Sequence, residues 1–203
     1  MWLAEVLAGV LGGEVADLGL NPQGHNFSGA LRSFFLGVGE PVAYLTPADQ
    51  FPVEPVPKMR DQAYHMLKRG NVLRLGVTSD PAMEAHGTPV RTHKGRKLVR
   101  CQNWEHCSHA GGMGMDAALW NRALLVSLLD PGWTMEHVSV HRSDWLRRER
   151  PDLACEAYVP PLFRSVKIVD AGRPRTVSRL ALLPPDLAGA VRAAMPGDWR
   201  ERP

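Results

Sequence analysis

The sequence predicts an α+β fold in a single domain that spans residues 1–203. With 203 residues and 44% hydrophobic content, the chain is long enough to bury one sizeable core. Segments with strand-like alternation and segments with helical spacing follow one another without a regular strand–helix–strand rhythm. We find neither an internal repeat nor a low-complexity tract, so nothing in the sequence divides the predicted domain.

The predicted helices are marked by apolar spacing and by residues that begin or end a helix. Residues 2–11 show this spacing, and Gly12 and Gly13 end that helix. Pro81 is placed at the first position of a short helix, and Asp116 is placed as the N-cap of a helix that reaches Leu129. Further helices are predicted over 30–36, 61–69 and 186–195.

The predicted strands are short apolar runs bounded by turn residues. The most informative run covers residues 153–159 (LACEAYV). Residues 90–100 form two short strand-like pieces around a turn at His93, Lys94 and Gly95. Further strands are predicted over 42–45, 71–77, 166–169 and 177–182.

Charge and cysteine content limit the class of protein. The net charge is only +3, but basic residues cluster at 91–100 and 142–150. Such clusters suit a polyanionic partner, and they also occur as solvated faces. No apolar run approaches the roughly 20 residues that span a bilayer, so we expect no membrane partner. Three cysteines, an odd number, suit a reducing cytoplasm better than a disulfide framework.

The carboxylate of Glu156 lies in the middle of the apolar run 153–159 and needs a physical reason. Burying it without a partner would cost several kcal/mol. Strand alternation could point Glu156 to solvent together with Ala154 and Tyr158. Alternatively, Glu156 has a charged partner or lines a site, and the residues alone leave these alternatives open.

The loop at 101–114 holds the densest group of zinc-type ligands. Cys101, Cys107 and His109 have suitable donor atoms, but His106 and Cys107 are adjacent and no separated second pair is evident. We therefore expect no metal, with zinc at Cys101, Cys107 and His109 as the alternative. Cys107 also lacks the nucleophile elbow that would mark a catalytic cysteine.

A basic stretch with an aromatic ring precedes the run 153–159. It carries Trp145, Arg147, Arg148 and Arg150. Arginines that hold phosphates, beside rings that stack on bases, are typical of a groove for single-stranded nucleic acid. A solvated arginine-rich face explains the same composition.

Several segments match a known family in the right order. Arg147 and Arg148 precede the Cys155–Val159 strand, and Pro160-Pro161 with Ile168-Val169 follow it. Upstream lie PVAYLTP at 41–47 and VRTHKG at 90–95. This arrangement resembles the DarT family of DNA ADP-ribosyltransferase toxins. The family's opening Tyr-His-x-Thr strand, which binds nicotinamide, has no counterpart here.

The resemblance implies an ADP-ribosyltransferase fold, with a mixed central sheet and flanking helices. It implies NAD as the substrate and a glycosyltransferase reaction on a base of single-stranded DNA. The protein would then be a toxin or defence component with an antitoxin protein as partner. The rival interpretation is a non-enzymatic nucleic-acid-binding domain stabilised by zinc.

The resemblance also assigns roles to individual residues. Glu156 and Arg32 would be catalytic, because a carboxylate stabilises an oxocarbenium-like ribose and an arginine neutralises the pyrophosphate. His93 and Tyr44 would bind NAD. The acceptor strand would be bound by Trp145, Arg147, Arg148 and Arg150.

Overall fold

The protein is an α+β structure, as the sequence predicts. A computed structural model describes residues 24–47, 50–54, 57–79, 81–101, 113–114, 117–170, 173–174 and 179–195. These residues group into two compact units. The larger unit contains the described residues within 24–46 and 58–162, and the smaller unit contains those within 47–57 and 163–195.

The described strands of both units are short. In chain order they are β1 (Val42–Leu45), β2 (Gln50–Pro52), β3 (Val72–Gly76), β4 (Gly87–His93), β5 (Arg96–Cys101), β6 (Ala118–Asn121), β7 (Ala154–Val159), β8 (Ser165–Lys167), β9 (Val169–Asp170) and β10 (Arg173–Pro174).

The described helices come from both units as well. They are α1 (Phe27–Gly37), α2 (Arg60–Arg69), α3 (Pro81–His86), α4 (Arg122–Leu128), α5 (Arg142–Glu149), which follows a π-helical turn at His137–His141, and α6 (Pro185–Ala194). None of the helices among the described residues is long and apolar enough to cross a membrane.

The larger unit is built around a six-stranded mixed sheet with the order β1-β6-β3-β7-β5-β4. The β3–β7 pair is parallel, and the other neighbouring strands are antiparallel. Strand β7 therefore has a hydrogen-bonded neighbour on each side. An inner strand has no free edge, so an edge position does not explain the charge in β7.

The two faces of this sheet are covered differently. Cys155 of β7 belongs to a hydrophobic cluster with Trp120 of β6, Phe35 of α1, Leu125 of α4 and Leu146 of α5. Helices α1, α4 and α5 thus pack on the face of Cys155. Because side chains alternate along a strand, Glu156 points to the opposite face. Helix α2 packs on that face, where its Arg69 contacts Glu156.

The β4–β5 hairpin confirms the turn predicted at residues 93–95. Lys94 and Gly95 both have positive φ, at 49° and 78°. Two consecutive residues with positive φ are the signature of a type I′ turn, whose twist matches that of the flanking strands. The hairpin therefore brings β4 alongside β5 and sets the register that positions the site.

The smaller unit has its own core. Strand β2 pairs with β8, and β9 pairs with β10. Phe51 of β2 and Val166 of β8 pack with Leu187 and Val191 of α6. The predicted helix over 186–195 is confirmed as α6, with Pro185 at its first turn.

The helix predicted to run from its cap at Asp116 to Leu129 is wrong in part. Residues 118–121 form strand β6, and the helix predicted to begin at Asp116 begins at Arg122 instead. The Asn121 side chain accepts a hydrogen bond from the backbone N–H of Leu124 at 3.2 Å and so acts as the N-cap. Residues 118–121 are buried throughout, and a short run buried on both faces shows no periodicity that distinguishes a strand from a helix.

The strand predicted over 177–182 is also not observed where the structure describes it. Residues 179–180 are helical and are followed by a turn. The predicted helix over 2–11 and the predicted cap Asp116 lie outside the described residues.

Candidate functional site

Glu156 is buried, with only 1% of its surface exposed. The interpretation that strand alternation points it to solvent is therefore wrong. Tyr158, on the same face of β7, is 2% exposed. Both faces of the strand are covered, and a carboxylate in such a place needs partners that replace water.

Three arginines supply these partners. Arg69 of α2 donates from Nη1 to Oε1 of Glu156 at 3.0 Å. Arg100 of β5 donates from Nη2 to the same oxygen at 3.3 Å. Arg91 of β4 donates from Nη2 to Oε2. Both carboxylate oxygens are thus bound by guanidinium groups from three different elements.

Strand register explains why two of these arginines face Glu156. Leu98 lies opposite both Arg91 on β4 and Tyr158 on β7. Cross-strand partners share a face, and so do residues two apart on one strand. Arg100 follows Leu98 by two residues and Glu156 precedes Tyr158 by two. All five side chains therefore project from the same face of the sheet.

The end of α2 explains the third arginine. Arg69 is the last residue of the helix, and Gly70 caps it in the left-handed conformation with φ of 71°. The following Asn71 is fixed to the entry of β7, because its carbonyl accepts from the N–H of Ala154 at 2.8 Å. Its side chain donates to the carbonyl of Asp152 at 2.9 Å. These bonds anchor the helix end beside β7.

The site carries a surplus of positive charge. Three guanidinium groups face one carboxylate, which leaves two positive charges. The Arg69, Arg91 and Arg100 side chains are 27%, 23% and 32% exposed, so each one also reaches solvent. The Nε atoms of Arg91 and Arg100 are buried and have no hydrogen-bond partner within the described residues. Spare donors and net positive charge suit a multivalent oxyanion.

A histidine–tyrosine pair lies next to the arginines. His93, two residues after Arg91, hydrogen-bonds through Nδ1 to the hydroxyl of Tyr158 at 2.5 Å. The ring of His65 from α2 stacks on His93, with 4.3 Å between centroids and 24° between planes. The carboxylate–arginine cluster and the pair therefore form one continuous polar surface beneath α2.

Burial shifts the pKa values of this pair. It raises the pKa of Tyr158 to about 12. It lowers the pKa of His93, and the charge of Lys94 lowers it further. The pKa of His65 is lowered by burial and then by His93. Both imidazoles thus favour the neutral state more than a free histidine does.

Three side chains of helix α2 contact the β4–β5 hairpin and β7. Asp61 near the start of the helix pairs with Lys94 at the hairpin tip, His65 meets His93, and Arg69 reaches Glu156. The hydrogen bond from Lys94 lowers the pKa of Asp61. Both partners of that pair are largely exposed, so it orients the hairpin more than it stabilises the fold.

Of the two residues assigned to NAD binding, His93 lies beside the Glu156 cluster and Tyr44 does not. The register places Tyr44 opposite Leu119, Leu119 opposite Leu75, and Leu75 opposite Glu156. Tyr44 thus shares the face of Glu156 but lies three strands away, about 14 Å at the usual strand spacing. Burial raises the pKa of Tyr44.

Arg32, assigned as catalytic, lies on α1, which packs on the opposite face of the sheet from Glu156. The arginines bound to Glu156 are Arg69, Arg91 and Arg100. Sequence reasoning included Arg91 and Arg100 in the basic run 91–100 but gave them no role. Strand pairing across the hairpin was the signal that could have identified them.

The stretch assigned to nucleic acid forms α5, also on the face opposite Glu156. Trp145 packs against the hydrophobic cluster of that face. Arg148 is exposed, and the side chain of Arg147 lies outside the described residues. Arg150 donates from Nε and Nη2 to the two carboxylate oxygens of Asp152, each at 2.8 Å.

The alternative zinc ligands are outside what the structure describes. Cys107 and His109 fall within 102–112, and only the backbone of Cys101 is described. Within the described part of the chain, no group of three or more His, Cys, Asp and Glu side chains could hold a metal ion.

No protein-family model, curated protein or solved structure matches the chain. The described residues define its class in coarse terms: an α+β protein with a buried carboxylate–arginine site on an inner strand of a mixed sheet. Any chemical role has to follow from these residues.

Proposed function

We propose that the larger unit has an ADP-ribosyltransferase fold and transfers ADP-ribose from NAD to a base of single-stranded DNA. The observation that carries the proposal is the burial of Glu156 among Arg69, Arg91 and Arg100. By its resemblance to the DarT family, the protein would act as a toxin or defence component in the cytoplasm. Its partner would be an antitoxin protein.

The charge of the cluster supports a dinucleotide substrate. The surplus of two positive charges equals the two negative charges of a pyrophosphate. Guanidinium groups bind phosphate oxygens through paired N–H donors. The buried Nε atoms of Arg91 and Arg100 add donors on the same groups. A pyrophosphate would draw the arginines partly away from Glu156 and leave one carboxylate oxygen free.

The freed carboxylate has a specific task in this reaction. The bond between ribose C1′ and the nicotinamide nitrogen breaks, and its electron pair leaves with nicotinamide. The ribose becomes oxocarbenium-like, and the carboxylate of Glu156 stabilises that charge while it accepts a hydrogen bond from a ribose hydroxyl. A base nitrogen of the acceptor then bonds to C1′, and its proton passes to Glu156 or to solvent.

The proposal is tested by incubating the protein with labelled NAD and a panel of single-stranded oligonucleotides. We expect the DNA to gain the mass of one ADP-ribose. Glu156→Gln should abolish the gain, whereas Glu54→Gln, a glutamate of the smaller unit, should retain it. Circular dichroism of each variant shows whether lost transfer reflects lost folding.

A binding measurement separates catalysis from recognition. ADP-ribose should raise the melting temperature of the wild type, and this increase should disappear in Arg91→Ala. The proposal would be overturned if the protein showed no transfer and ADP-ribose did not raise its melting temperature. A higher melting temperature with ADP-ribose but no transfer would support the dinucleotide site and exclude the enzymatic role.

A non-enzymatic nucleic-acid-binding domain is the second candidate. It is favoured by α5, which packs on the face of the sheet opposite Glu156 and carries the exposed Arg148. Oligonucleotide binding that weakens with salt, with no covalent product and no response to ADP-ribose, would select it. A loss of affinity in Arg148→Ala would place α5 in that interface.

A further inference from the structure

We infer that Tyr158 holds His93 as the neutral Nε2–H tautomer and thereby makes His93 a hydrogen-bond donor to a ligand at Glu156. Tyr158 is a positioning residue in this arrangement, because it acts through His93.

The geometry restricts both side chains. Tyr158 lies on the inner strand β7 and is 2% exposed, so its ring cannot turn away. Its hydroxyl is 2.5 Å from Nδ1 of His93 on β4. The ring of His93 is held from the other side by the stacked ring of His65. Strand pairing and the ring stack therefore keep Nδ1 facing the phenol.

The direction of the hydrogen bond follows from the protonation states together with burial. Among the described residues, His93 is the only hydrogen-bond partner of the buried Tyr158 hydroxyl, so a donating Nδ1–H would leave the phenol proton without an acceptor. Burial raises the pKa of Tyr158 to about 12, so the phenol keeps its proton at neutral pH and can donate it in a hydrogen bond. Burial and Lys94 lower the pKa of His93 below its ordinary value, which favours the neutral ring at neutral pH. A neutral imidazole that accepts at Nδ1 carries its proton on Nε2.

The charged groups around His93 come from three elements. Lys94 in the hairpin turn and Arg91 on β4 disfavour the imidazolium, and Asp61 on α2 favours it. Glu156 on β7 is bound by arginines, and His65 on α2 is a neutral stacking partner that is itself shifted towards neutrality. Burial, which acts in the same direction as the two cations, is the largest influence.

The Nε2–H group gives His93 a defined role towards a ligand. It offers one donor and no acceptor, so it matches a ribose hydroxyl oxygen or a phosphate oxygen. The choice of these ligand oxygens rests on the proposed function, whereas the tautomer does not. His93 in this state cannot remove a proton through Nδ1, because that atom already accepts one hydrogen bond.

Nuclear magnetic resonance of the ¹⁵N-labelled imidazoles tests the tautomer without any ligand. His93→Gln assigns the resonances of His93. The wild type should show a protonated Nε2 and an unprotonated Nδ1, and Tyr158→Phe should shift His93 towards a mixture of tautomers. Tyr64→Phe removes the hydroxyl of a tyrosine that is 66% exposed and should leave the wild-type pattern.

A protonated Nδ1, or two equally populated tautomers in the wild type, would overturn the inference. So would an unchanged His93 pattern in Tyr158→Phe. Retained dispersion of the backbone amide spectrum shows that Tyr158→Phe is folded. This conservative change removes one oxygen and keeps the ring in place.

ADP-ribose tests the ligand role separately. Its binding should move the Nε2 resonance of His93, and Tyr158→Phe should raise the Kd for ADP-ribose roughly threefold to tenfold, as expected for one hydrogen bond. Equal Kd values in the two proteins would overturn the donor role. If the wild type has the Nε2–H tautomer but binds no ADP-ribose, the proposed function fails and the tautomer assignment stands.

Discussion

Arg69 and Glu156 are joined by a 3.0 Å hydrogen bond although they are 87 positions apart in the chain. Arg69 ends the helix that precedes β3, and Glu156 lies on β7, which pairs with β3 in parallel. The ion pair therefore connects the two sides of a parallel strand pair. The carboxylate of Glu156 therefore has all three arginine partners only when α2, the β4–β5 hairpin and β7 have assembled.

Replacing Glu156 with Gln should destabilise the fold as well as abolish the proposed transfer. Among the described residues, Glu156 is the only negative charge that holds Arg69, Arg91 and Arg100 together, and breaking a buried ion pair is strongly unfavourable. We expect the free energy of unfolding to fall by roughly 3 kcal/mol. Urea denaturation followed by circular dichroism measures this fall.

Glu54→Gln is the matched control for that measurement. Glu54 accepts from the backbone N–H of Arg164 at 2.6 Å and is considerably more exposed than Glu156. Its loss should cost about 1 kcal/mol at most. Equal stability of Glu156→Gln and the wild type would show that the carboxylate does not hold the cluster together.

Arg91 should contribute more to stability than Arg100. Among the described residues, Arg91 is the only ion-pair partner of Oε2 of Glu156, whereas Arg69 and Arg100 share Oε1. Arg91→Ala therefore leaves one buried oxygen without an ionic partner, and Arg100→Ala does not. We expect losses of roughly 3 and roughly 1 kcal/mol, respectively.

Thermal unfolding of the two variants checks this order. Arg60→Ala, at the exposed start of α2, serves as the control for removing one positive charge. A larger loss in Arg100→Ala than in Arg91→Ala would contradict the pairing of the two oxygens.

The elements of the site could be predicted from sequence better than their contacts. The strand that carries Glu156 and the turn at 93–95 follow from local residue types, and both are confirmed. Arg91 and Arg100 lie at the expected hairpin, but their common face depends on register. Register is set by strand pairing over the whole sheet, which the run 91–100 does not encode by itself.

Arg69 could not be identified from its neighbours in sequence. A basic residue in the last turn of a helix is normally explained by the helix dipole. Its role appears only because Gly70 and Asn71 fix the helix end beside β7. Arg32 was chosen by its place in a family pattern, and α1 then packs on the opposite face. Long-range packing decided both outcomes.

Cys155 should resist thiol reagents in the folded protein. It is 4% exposed, and burial raises the pKa of its thiol to about 12. The reactive thiolate is therefore scarce and shielded at about pH 8.5, where a free cysteine is half ionised. Iodoacetamide labelling followed by peptide mass spectrometry should leave Cys155 unmodified in buffer and modify it in urea. Modification in buffer at the rate seen in urea would contradict its place in the core.

Stability should decrease on mild acidification because of His65 and His93. Both have folded-state pKa values below the ordinary value of 6.5. Between those lowered values and about pH 6.5, the unfolded chain binds more protons than the folded chain. The contribution of the two histidines to the free energy of unfolding is therefore fully present above about pH 6.5. It is lost as the pH falls from there through their folded-state pKa values.

Urea midpoints measured between about pH 7.5 and 5.5 test this dependence before most carboxylates titrate. His65→Gln should show a smaller decrease than the wild type. His86→Gln, at an exposed position on α3, should keep the wild-type decrease. A wild-type urea midpoint that rises on acidification would contradict the predicted decrease in stability.

Gly87→Ala should disrupt the β4–β5 side of the site through sterics alone. An added Cβ at Gly87 would lie 2.3 Å from the carbonyl oxygen of Met83 and 2.6 Å from Cγ2 of Val99. Backbone of α3 and a buried side chain of β5 would have to move, at a cost of roughly 2–3 kcal/mol. Because β4 carries Arg91, the variant should also bind ADP-ribose more weakly.

Gly189→Ala is the contrasting control. Gly189 lies inside α6, and an added Cβ there would meet open space. The change should raise stability by up to about 1 kcal/mol through helix propensity. Equal melting temperatures for Gly87→Ala and the wild type would contradict the close approach of α3 to β5.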